Sequence, residues 1–507
     1  MITKRTIYFS LFTALLIGIS YIMNWGMAVA NLTEKTTVPT FDDPGQRILG
    51  VVPHPDDEAL GMAGIIQRAV ELGRPVKVVI VTSGESYEKA AMVFCGKKNP
   101  TPRDFYKLGL ARQQESIAAM RILGLPRKDL IFLGFADGST RFLWSQYWDN
   151  GKPRVSGGIR VAYAPYDTVY KPGAPYTGQT LVDELTEIIK DFKPTDIYYP
   201  IADDTHPDHW AVSNFVRYTI TAMNLNVREH MFLVHHPQWP VPWMAEKNRA
   251  MLPPVDMRNS NIEWQAFELT PKEIDMKRIA IKQYKTQTEV MESFLMAFVR
   301  KKELFATKPV INIPVVLSMP DLKEADLPHT LLKVYAGGML NEEIYGSAAL
   351  TKLAAFYHDN KLYVGLESAK PISKKVIYHI EMRLFYKDPD DIKRIDLGVV
   401  NGELYEYKRA ENSLTNVIAL KPFIERNRIW IEVNIPHVDN LRYIFMGADS
   451  IYRNYLIDKI PWNMYRISDQ KPSGLFLLTM STTLSNRSNT VFMKGITGIT
   501  EKILKNR

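Results

Sequence analysis

The sequence predicts an α/β fold with a mostly parallel sheet covered by helices on both faces, followed by a β-rich C-terminal domain. Short apolar runs alternate with helical patterns from about residue 47 to residue 201, as expected of successive βαβ units. Beyond about residue 331, short apolar and aromatic runs replace this alternation. The 507 residues, 46% of them hydrophobic, are enough for two packed cores.

The first βαβ unit is predicted from a strand at Arg47–Pro53, a helix at Glu58–Gly73 and a buried strand at Pro75–Ser83. Helix and strand signals then alternate, in order, at Arg103–Gly124, Asp129–Gly134, Leu181–Phe192 and Asp196–Ile201. A long helical segment is predicted over Pro271–Phe305.

A linker is predicted at residues 307–330 and a β-rich accessory domain at residues 331–507. The runs that predict an antiparallel sandwich are Lys361–Glu367, Lys375–Tyr386, Glu403–Tyr407 and Arg428–Asn434. The pair Asp359-Asn360 is typical of a hairpin turn. The sequence leaves open whether this domain binds carbohydrate or stabilises the rest of the chain.

The amino terminus predicts export. Lys4 and Arg5 precede an apolar stretch at Ile7–Met23, and Ala28-Val29-Ala30 suits a signal peptidase. Residues 1–30 are therefore a signal peptide or an uncleaved membrane anchor, and residues 31–45 a linker. We expect an extracytoplasmic protein that is secreted, periplasmic or anchored to the membrane by this segment.

Charge and cysteine content exclude some partners and sites. The 63 Lys and Arg residues against 55 Asp and Glu residues give a net charge of +8, spread along the chain. No basic run resembles a nucleic-acid tail, so no nucleic-acid partner is expected. Cys95 is the only cysteine, which excludes an internal disulfide and a two-thiol metal site.

Two polar runs, Pro53–Glu58 (PHPDDE) and Thr205–His209 (THPDH), each follow the carboxyl end of a predicted strand. Open α/β sheets form ligand crevices there, so the two runs are expected to meet. Two imidazoles and a carboxylate can hold an ion such as zinc and leave other groups free for proton transfer. The alternative is structural, with His-Pro and Asp-Asp serving as turn and helix-cap residues.

The two runs resemble the metal-site motifs of the PIG-L/LmbE family of zinc-dependent de-N-acetylases. Weaker support comes from Thr82–Glu85 (TSGE), Arg112–Glu115 (RQQE) and Lys277–Gln287 (KRIAIKQYKTQ). The resemblance covers residues 46–306 and implies a Rossmann-like domain that removes an N-acetyl group from an amino sugar or its conjugate.

Carried onto this sequence, the resemblance implies that His54, Asp57 and His209 bind Zn²⁺ and that Asp56 is the general base. Three protein ligands leave a coordination position for water, whose pKa zinc lowers. Nitrogen and oxygen ligands also accept iron, manganese or cobalt, so another divalent transition metal stays open.

The resemblance also suggests that His206, as an imidazolium, stabilises the oxyanion, and that Asp208 orients it and favours its charged form. Arg112 and Glu115 lie three residues apart on a predicted helix. They form either an intrahelical ion pair or, following the family, a polar contact in the substrate pocket.

Two further features have alternative interpretations. His235 and His236 could rim the crevice, although their context favours a strand end and its turn. The aromatic-rich segment at residues 136–179 is either a lid that shapes a glycan pocket or a surface hairpin filled by aromatic packing.

The favoured function is metal-dependent hydrolysis of the N-acetyl group of an amino sugar or glycoconjugate. The expected partners are this substrate and, through the N-terminal segment, a membrane. The alternatives are a cell-surface carbohydrate-binding protein on a hydrolase fold and a hydrolase of another amide or ester.

Overall fold

The computed structural model describes residues 38–149, 151–258, 261–322, 342–389, 391–408, 413–416, 422–453 and 455–468. The predicted signal or anchor segment at residues 1–30 lies outside them, as do residues 31–37 of the predicted first linker. Within the described ranges, no helix is both long and apolar enough to cross a bilayer.

The first domain is built on a mixed eight-stranded sheet of order β1-β7-β8-β6-β5-β2-β3-β4. Its strands are β1 (Thr40–Phe41), β2 (Ile48–Val52), β3 (Val76–Thr82), β4 (Leu130–Phe135), β5 (Asp196–Pro200), β6 (Arg228–Phe232), β7 (Glu263–Glu268) and β8 (Lys302–Thr307). Strands β2 to β6 are parallel, and β8 runs antiparallel to both of its neighbours. The predicted α/β class with a mostly parallel sheet is confirmed.

Eight helices connect or follow these strands in the described part of the first domain. They are α1 (Asp57–Glu71), α2 (Glu88–Cys95), α3 (Pro102–Ile122), α4 (Thr140–Ser145), α5 (Gly178–Phe192), α6 (Pro207–Ala222), α7 (Pro271–Ile281) and α8 (Lys285–Met296).

The predicted long helical segment over Pro271–Phe305 is wrong beyond Met296. The chain forms α7 and α8 and then strand β8, whose central residues are buried between β6 and β7. Pairing on both edges of this strand outweighs the local preference of the segment, because sheet formation depends on neighbours far away in sequence.

The strand order places both metal-site motifs together. Strand β2 lies between β3 and β5, and Ile48 and Gly50 are in register with Asp196 and Tyr198 of β5. The chain leaves β2 toward one edge of the sheet and later returns to β5 on the other side. The carboxyl ends of β2 and β5 therefore meet at a topological switch point, where open α/β sheets bind ligands.

The second domain contains two sheets, of order β10-β11-β17-β16 and β15-β14-β13-β12-β18-β19-β9. The strands are β9 (Ile311–Ile313), β10 (Leu350–His358), β11 (Lys361–Ser368), β12 (Ile377–Tyr386), β13 (Ile392–Val400), β14 (Glu403–Lys408), β15 (Ser413–Asn416), β16 (Phe423–Glu425), β17 (Arg428–Asn434), β18 (Leu441–Tyr452) and β19 (Tyr455–Ile467). Helix α9 (Glu342–Ala348) lies between β9 and β10. Apolar side chains of both sheets share one core. The predicted β-rich domain is confirmed.

Two details concern connections in this domain. Asp359 and Asn360 have φ of 47° and 61°, the positive values that a tight hairpin turn requires between β10 and β11. Strand β9 lies inside the predicted linker at residues 307–330 and pairs in parallel with β19. Of the β9–β19 partners, Ile313 and Tyr465 belong to the second core.

Aromatic side chains from the segment at residues 136–179 join the two domains. The Trp144 ring lies edge-on to Phe215 of α6 and to Trp462 of β19, with centroids 5.1 and 5.0 Å apart. Four of the aromatic side chains in this segment are buried: Trp144, Trp148, Tyr166 and Tyr176. For these four the packing interpretation holds, because a buried ring cannot stack on a sugar. Tyr163 and Tyr170 are exposed.

Candidate functional site

The two motif runs bring their side chains to the ends of helices. Helix α1 begins at Asp57, directly after the loop that follows β2, and α6 begins at Pro207 after β5. At the start of α6, the backbone N–H of Asp208 donates to Nδ1 of His206 over 3.3 Å. The local chain geometry therefore directs both motifs into the crevice at the switch point.

The three predicted metal ligands converge on one carboxylate oxygen. Asp57 Oδ2 lies 3.3 Å from His54 Nδ1 and 3.2 Å from His209 Nε2. Ligand atoms bound at about 2.0–2.2 Å to one tetrahedral ion lie roughly 3.4 Å apart, so these spacings suit a shared cation. Three overlapping groups each keep one ligand atom per residue within 4.8 Å of one another: His54–His206–His209, Asp57–His209–His235 and His54–Asp137–Asp208.

Each of the two imidazoles predicted to bind the metal has a carboxylate on its other nitrogen. His54 Nε2 lies 3.2 Å from Asp208 Oδ2 and 3.2 Å from Asp137 Oδ1. His209 Nδ1 lies 3.1 Å from Asp204 Oδ2. A carboxylate in this position fixes the ring and its tautomer and makes the opposite nitrogen a better metal ligand.

The electrostatics of this cluster suit a bound cation. Burial would lower the pKa of His209, but Asp204 and Asp57 raise it to about 9. Burial would likewise raise the pKa of Asp57, but His209 and His54 hold it well below its usual range. Both nitrogens of His209 are buried without a hydrogen bond of good geometry, despite the carboxylates nearby. This donor set fits a divalent transition metal.

Asp56 is held beside the ligands in a strained backbone conformation. Its φ is 118°, in a region that non-glycine residues rarely adopt, and its side chain is buried. Such strain costs on the order of 1–3 kcal/mol and persists only where the surroundings enforce it. Its backbone N–H donates to Glu58 Oε2 over 3.0 Å, and Glu58 accepts a hydrogen bond from the Tyr284 hydroxyl over 2.8 Å. Tyr284, which lies in the Lys277–Gln287 run, thus holds Glu58, and Glu58 holds the backbone of Asp56.

Arg112 and Glu115 do not pair mainly with each other. Arg112 is buried and donates to the carbonyls of Gly84 and Pro55, and its Nη2 lies 3.3 Å from Asp56 Oδ2. Glu115 accepts hydrogen bonds from the backbone and the hydroxyl of Thr286. Both residues brace the loops of the site, and their contact with substrate stays a prediction.

The expected roles of His206 and Asp208 need correction. The Asp208 carboxylate bonds to Gly138 N, Thr140 and His54, rather than orienting His206. Asp208 does favour the charged form of His206, as expected, but burial and the neighbouring imidazoles His54 and His209 outweigh it and lower the pKa of His206 to about 4. His206 is therefore a neutral imidazole. Since its Nδ1 accepts a hydrogen bond, the proton of the neutral ring belongs on Nε2.

Three residues of the site, Asp204, Asp137 and His235, were not among the site residues predicted from the sequence. Asp204 immediately precedes the second motif. Asp137 follows strand β4, just as the two motifs follow β2 and β5. A polar residue at the carboxyl end of a strand is the sequence signal that could have identified both. His235 follows β6, and its ring lies 4.6 Å from that of His209. His235 thus lies at a strand end, as expected, and also beside the site, whereas His236 faces Asp256.

From the charge of Arg112 next to Asp56, we predict how the activity depends on pH. Burial raises the pKa of Asp56 to about 8, and the charge of Arg112 opposes that rise. If the Asp56 carboxylate accepts a proton during turnover, activity rises with pH through this pKa. Arg112→Met removes the opposing charge, so the rising limb of kcat/KM against pH should move to higher pH. Arg121→Met, an exposed change on the same helix, is the control. An unshifted limb would contradict this role.

The comparisons with known proteins agree with this site. Residues 49–220, which contain both motifs, match the family described as PIG-L: GlcNAc-PI de-N-acetylase. A Bacillus subtilis protein described as "Probable N-acetyl-alpha-D-glucosaminyl L-malate deacetylase 2" is 26% identical over 250 residues, 48% of this chain and 85% of its own length. A Corynebacterium glutamicum "1D-myo-inositol 2-acetamido-2-deoxy-alpha-D-glucopyranoside deacetylase" is 29% identical over 170 residues, 33% of this chain and half of that protein.

Solved structures give weak overall matches. The deacetylase Dbv21, which acts on the A40926 pseudoaglycone, is 18% identical with a TM-score of 0.34, covering 52% of this chain and 96% of that one. N,N'-diacetylchitobiose deacetylase from Pyrococcus horikoshii is also 18% identical, with a TM-score of 0.31, covering 52% and 84%. The fold of the first domain is defined by the strand order described above.

Proposed function

We propose that this protein is a metal-dependent hydrolase that removes the N-acetyl group from an amino sugar or glycoconjugate, since residues 49–220 match the PIG-L family. One observation carries the proposal. A nitrogen of each of two imidazoles lies within 3.3 Å of one carboxylate oxygen of Asp57, in a buried site that also contains Asp56.

His54, Asp57 and His209 would hold the metal. Zinc suits this set of nitrogen and oxygen ligands, although iron, manganese and cobalt accept the same ligands. A bound divalent metal lowers the pKa of water and polarises a carbonyl oxygen. The carboxylates of Asp204 and Asp208 keep the two imidazoles in place from the opposite side.

The residues of the chain would divide the proton transfers between them. Asp56 takes a proton from the attacking water, whose oxygen bonds to the acetamide carbon, and then delivers that proton to the departing amine as the C–N bond breaks. The products are acetate and a free amino sugar. His206, through its Nε2–H, donates a hydrogen bond to the negatively charged oxygen that develops on the carbonyl. A neutral imidazole suffices for this task.

The alternatives are a carbohydrate-binding protein and a hydrolase of another amide or ester. A binding protein would have no use for Asp56, whose strained backbone is maintained at a cost in stability. We also propose that the protein acts outside the cytoplasm. Lys4, Arg5 and the apolar stretch after them favour export, either as a secreted or periplasmic protein or anchored to a membrane.

The proposal is tested by acetate release from N-acetylglucosamine oligosaccharides. We expect the zinc-loaded chain to release acetate, a chelator to abolish the release, and added zinc to restore it. A matched sample treated with a zinc-saturated chelator controls for other effects of the chelator. Release that survives complete metal removal would contradict a metal-dependent mechanism, and acetate from ester substrates alone would favour the other hydrolase.

A further inference from the structure

Arg141 and Arg154 share one aromatic ring, that of Phe142. The guanidinium carbon of Arg141 lies 4.3 Å from the ring centroid of Phe142, and that of Arg154 lies 3.8 Å from the same centroid. The two cations are therefore no more than about 8 Å apart, since both distances end on one point. Both side chains are partly exposed.

Neither guanidinium has a carboxylate within ion-pair distance among the described residues. Arg154 donates from Nε to Ser139 Oγ over 3.2 Å and interacts with Tyr147. Burial lowers the pKa of both arginines, and the charge of Asp208 opposes that shift in both. The charge of Arg154 lowers the pKa of Arg141 further, whereas Asp449 raises it. Two half-buried cations with no close anion raise each other's energy, which a bound anion would relieve.

The arginine pair is tied directly to the metal site through the chain. Asp137 lies 3.2 Å from His54, and the backbone N–H groups of Gly138 and Thr140 donate to the Asp208 carboxylate. Arg141 is the next residue. Five consecutive residues therefore lead from Asp137, the neighbour of His54, to Arg141, and Ser139 of the same segment accepts a hydrogen bond from Arg154.

We propose that Arg141 and Arg154 form an anion-binding subsite for a carboxylate or phosphate group carried by the sugar whose acetamide is hydrolysed. The inference rests on the proposed deacetylase function and narrows its substrate to an anionic N-acetylated amino sugar conjugate. Guanidinium groups suit this task because they stay charged and present planar pairs of donors to carboxylate or phosphate oxygens.

The test compares a neutral substrate with two anionic ones. The zinc-loaded full chain is given methyl N-acetylglucosaminide, N-acetylglucosamine 1-phosphate and N-acetylmuramic acid, which distinguish no anion, a phosphate and a carboxylate. We expect a higher kcat/KM for at least one anionic sugar. Arg141→Met, Arg154→Met and the double variant should lower that value by about tenfold to a hundredfold and leave the neutral substrate unchanged.

Lys128→Met is the matched control, because it removes one positive charge at the opposite end of β4 from the site. Thermal unfolding of each variant shows whether the protein is folded. Equal loss on neutral and anionic substrates in folded variants would overturn the subsite, as would an unchanged kcat/KM for the anionic sugars.

A binding measurement tests the anion subsite independently of the proposed deacetylase activity. Calorimetry on the metal-free full chain measures the Kd of N-acetylglucosamine 1-phosphate and of the methyl glycoside. If no sugar releases acetate, the deacetylase proposal fails, yet tighter binding of the phosphate that the double variant loses still supports the subsite. Equal binding of both sugars, or equal binding by the wild type and the double variant, overturns it.

Discussion

Replacing Asp56 with Asn is expected to lower the rate of acetate release by about 10²–10⁴-fold while the protein stays folded and keeps its metal. The amide has nearly the shape of the carboxylate but cannot accept the proton of the attacking water. Asn also tolerates positive φ better than most residues, so the backbone at φ 118° should survive the change. The measurement is kcat on an N-acetylated sugar, together with zinc content by elemental analysis.

Asp42→Asn provides a control, because this carboxylate is exposed and lies outside the site. It should leave kcat unchanged. An Asp56→Asn enzyme with bound zinc and wild-type kcat would exclude Asp56 as the base. Loss of zinc together with activity would instead mean that Asp56 acts mainly on the metal ligands.

Replacing Asp204 with Asn is expected to weaken zinc binding by about 10–100-fold, the usual effect of losing a carboxylate behind a metal-bound histidine. Asp204 Oδ2 lies 3.1 Å from His209 Nδ1 and accepts the backbone N–H of His235 over 2.9 Å. Its Oδ1 accepts the backbone N–H of His206 over 2.8 Å. One carboxylate therefore positions three histidines. Competition with a chromogenic chelator measures the zinc Kd.

The neighbouring acid offers a matched control. Asp203 faces Lys308 at 2.8 Å, and both side chains are buried. Asp203→Asn leaves Lys308 without its ion-pair partner, so it should lower the free energy of unfolding but not the zinc affinity. If Asp203→Asn weakens zinc binding as much as Asp204→Asn does, the effect of Asp204 is a general loss of stability rather than the positioning of His209.

The second domain contacts the loop that contains Asp203 and Asp204. Lys459 of β19 donates to the backbone carbonyl of Asp204 over 3.0 Å, and the rings of Trp144 and Trp462 pack together across the interface. Burial lowers the pKa of Lys459 to about 7, although Asp204 and Asp203 oppose the shift. These contacts favour a stabilising role for the accessory domain, the question that its sequence left open.

The sequence by itself determined the alternating first domain, the β-rich second domain and the two motifs at the ends of β2 and β5. These features depend on local patterns. Apolar runs, hairpin turn residues such as Asp359-Asn360, and polar residues after strands are legible one segment at a time. The convergence of His54, Asp57 and His209 could be predicted because parallel strands next to a switch point leave their carboxyl ends together.

Only the tertiary structure determined the conformation of Lys302–Thr307, which forms a strand because it pairs with β6 on one side and β7 on the other. It also decided the partners of the acids. Asp208 faces His54 and the loop at Gly138–Thr140, whereas Asp137 and Asp204 stand behind the ligand imidazoles. Likewise, the neutral state of His206 follows from its burial beside two other imidazoles. Such contacts join residues far apart in the chain, and the energy of a buried charge depends on all its neighbours at once.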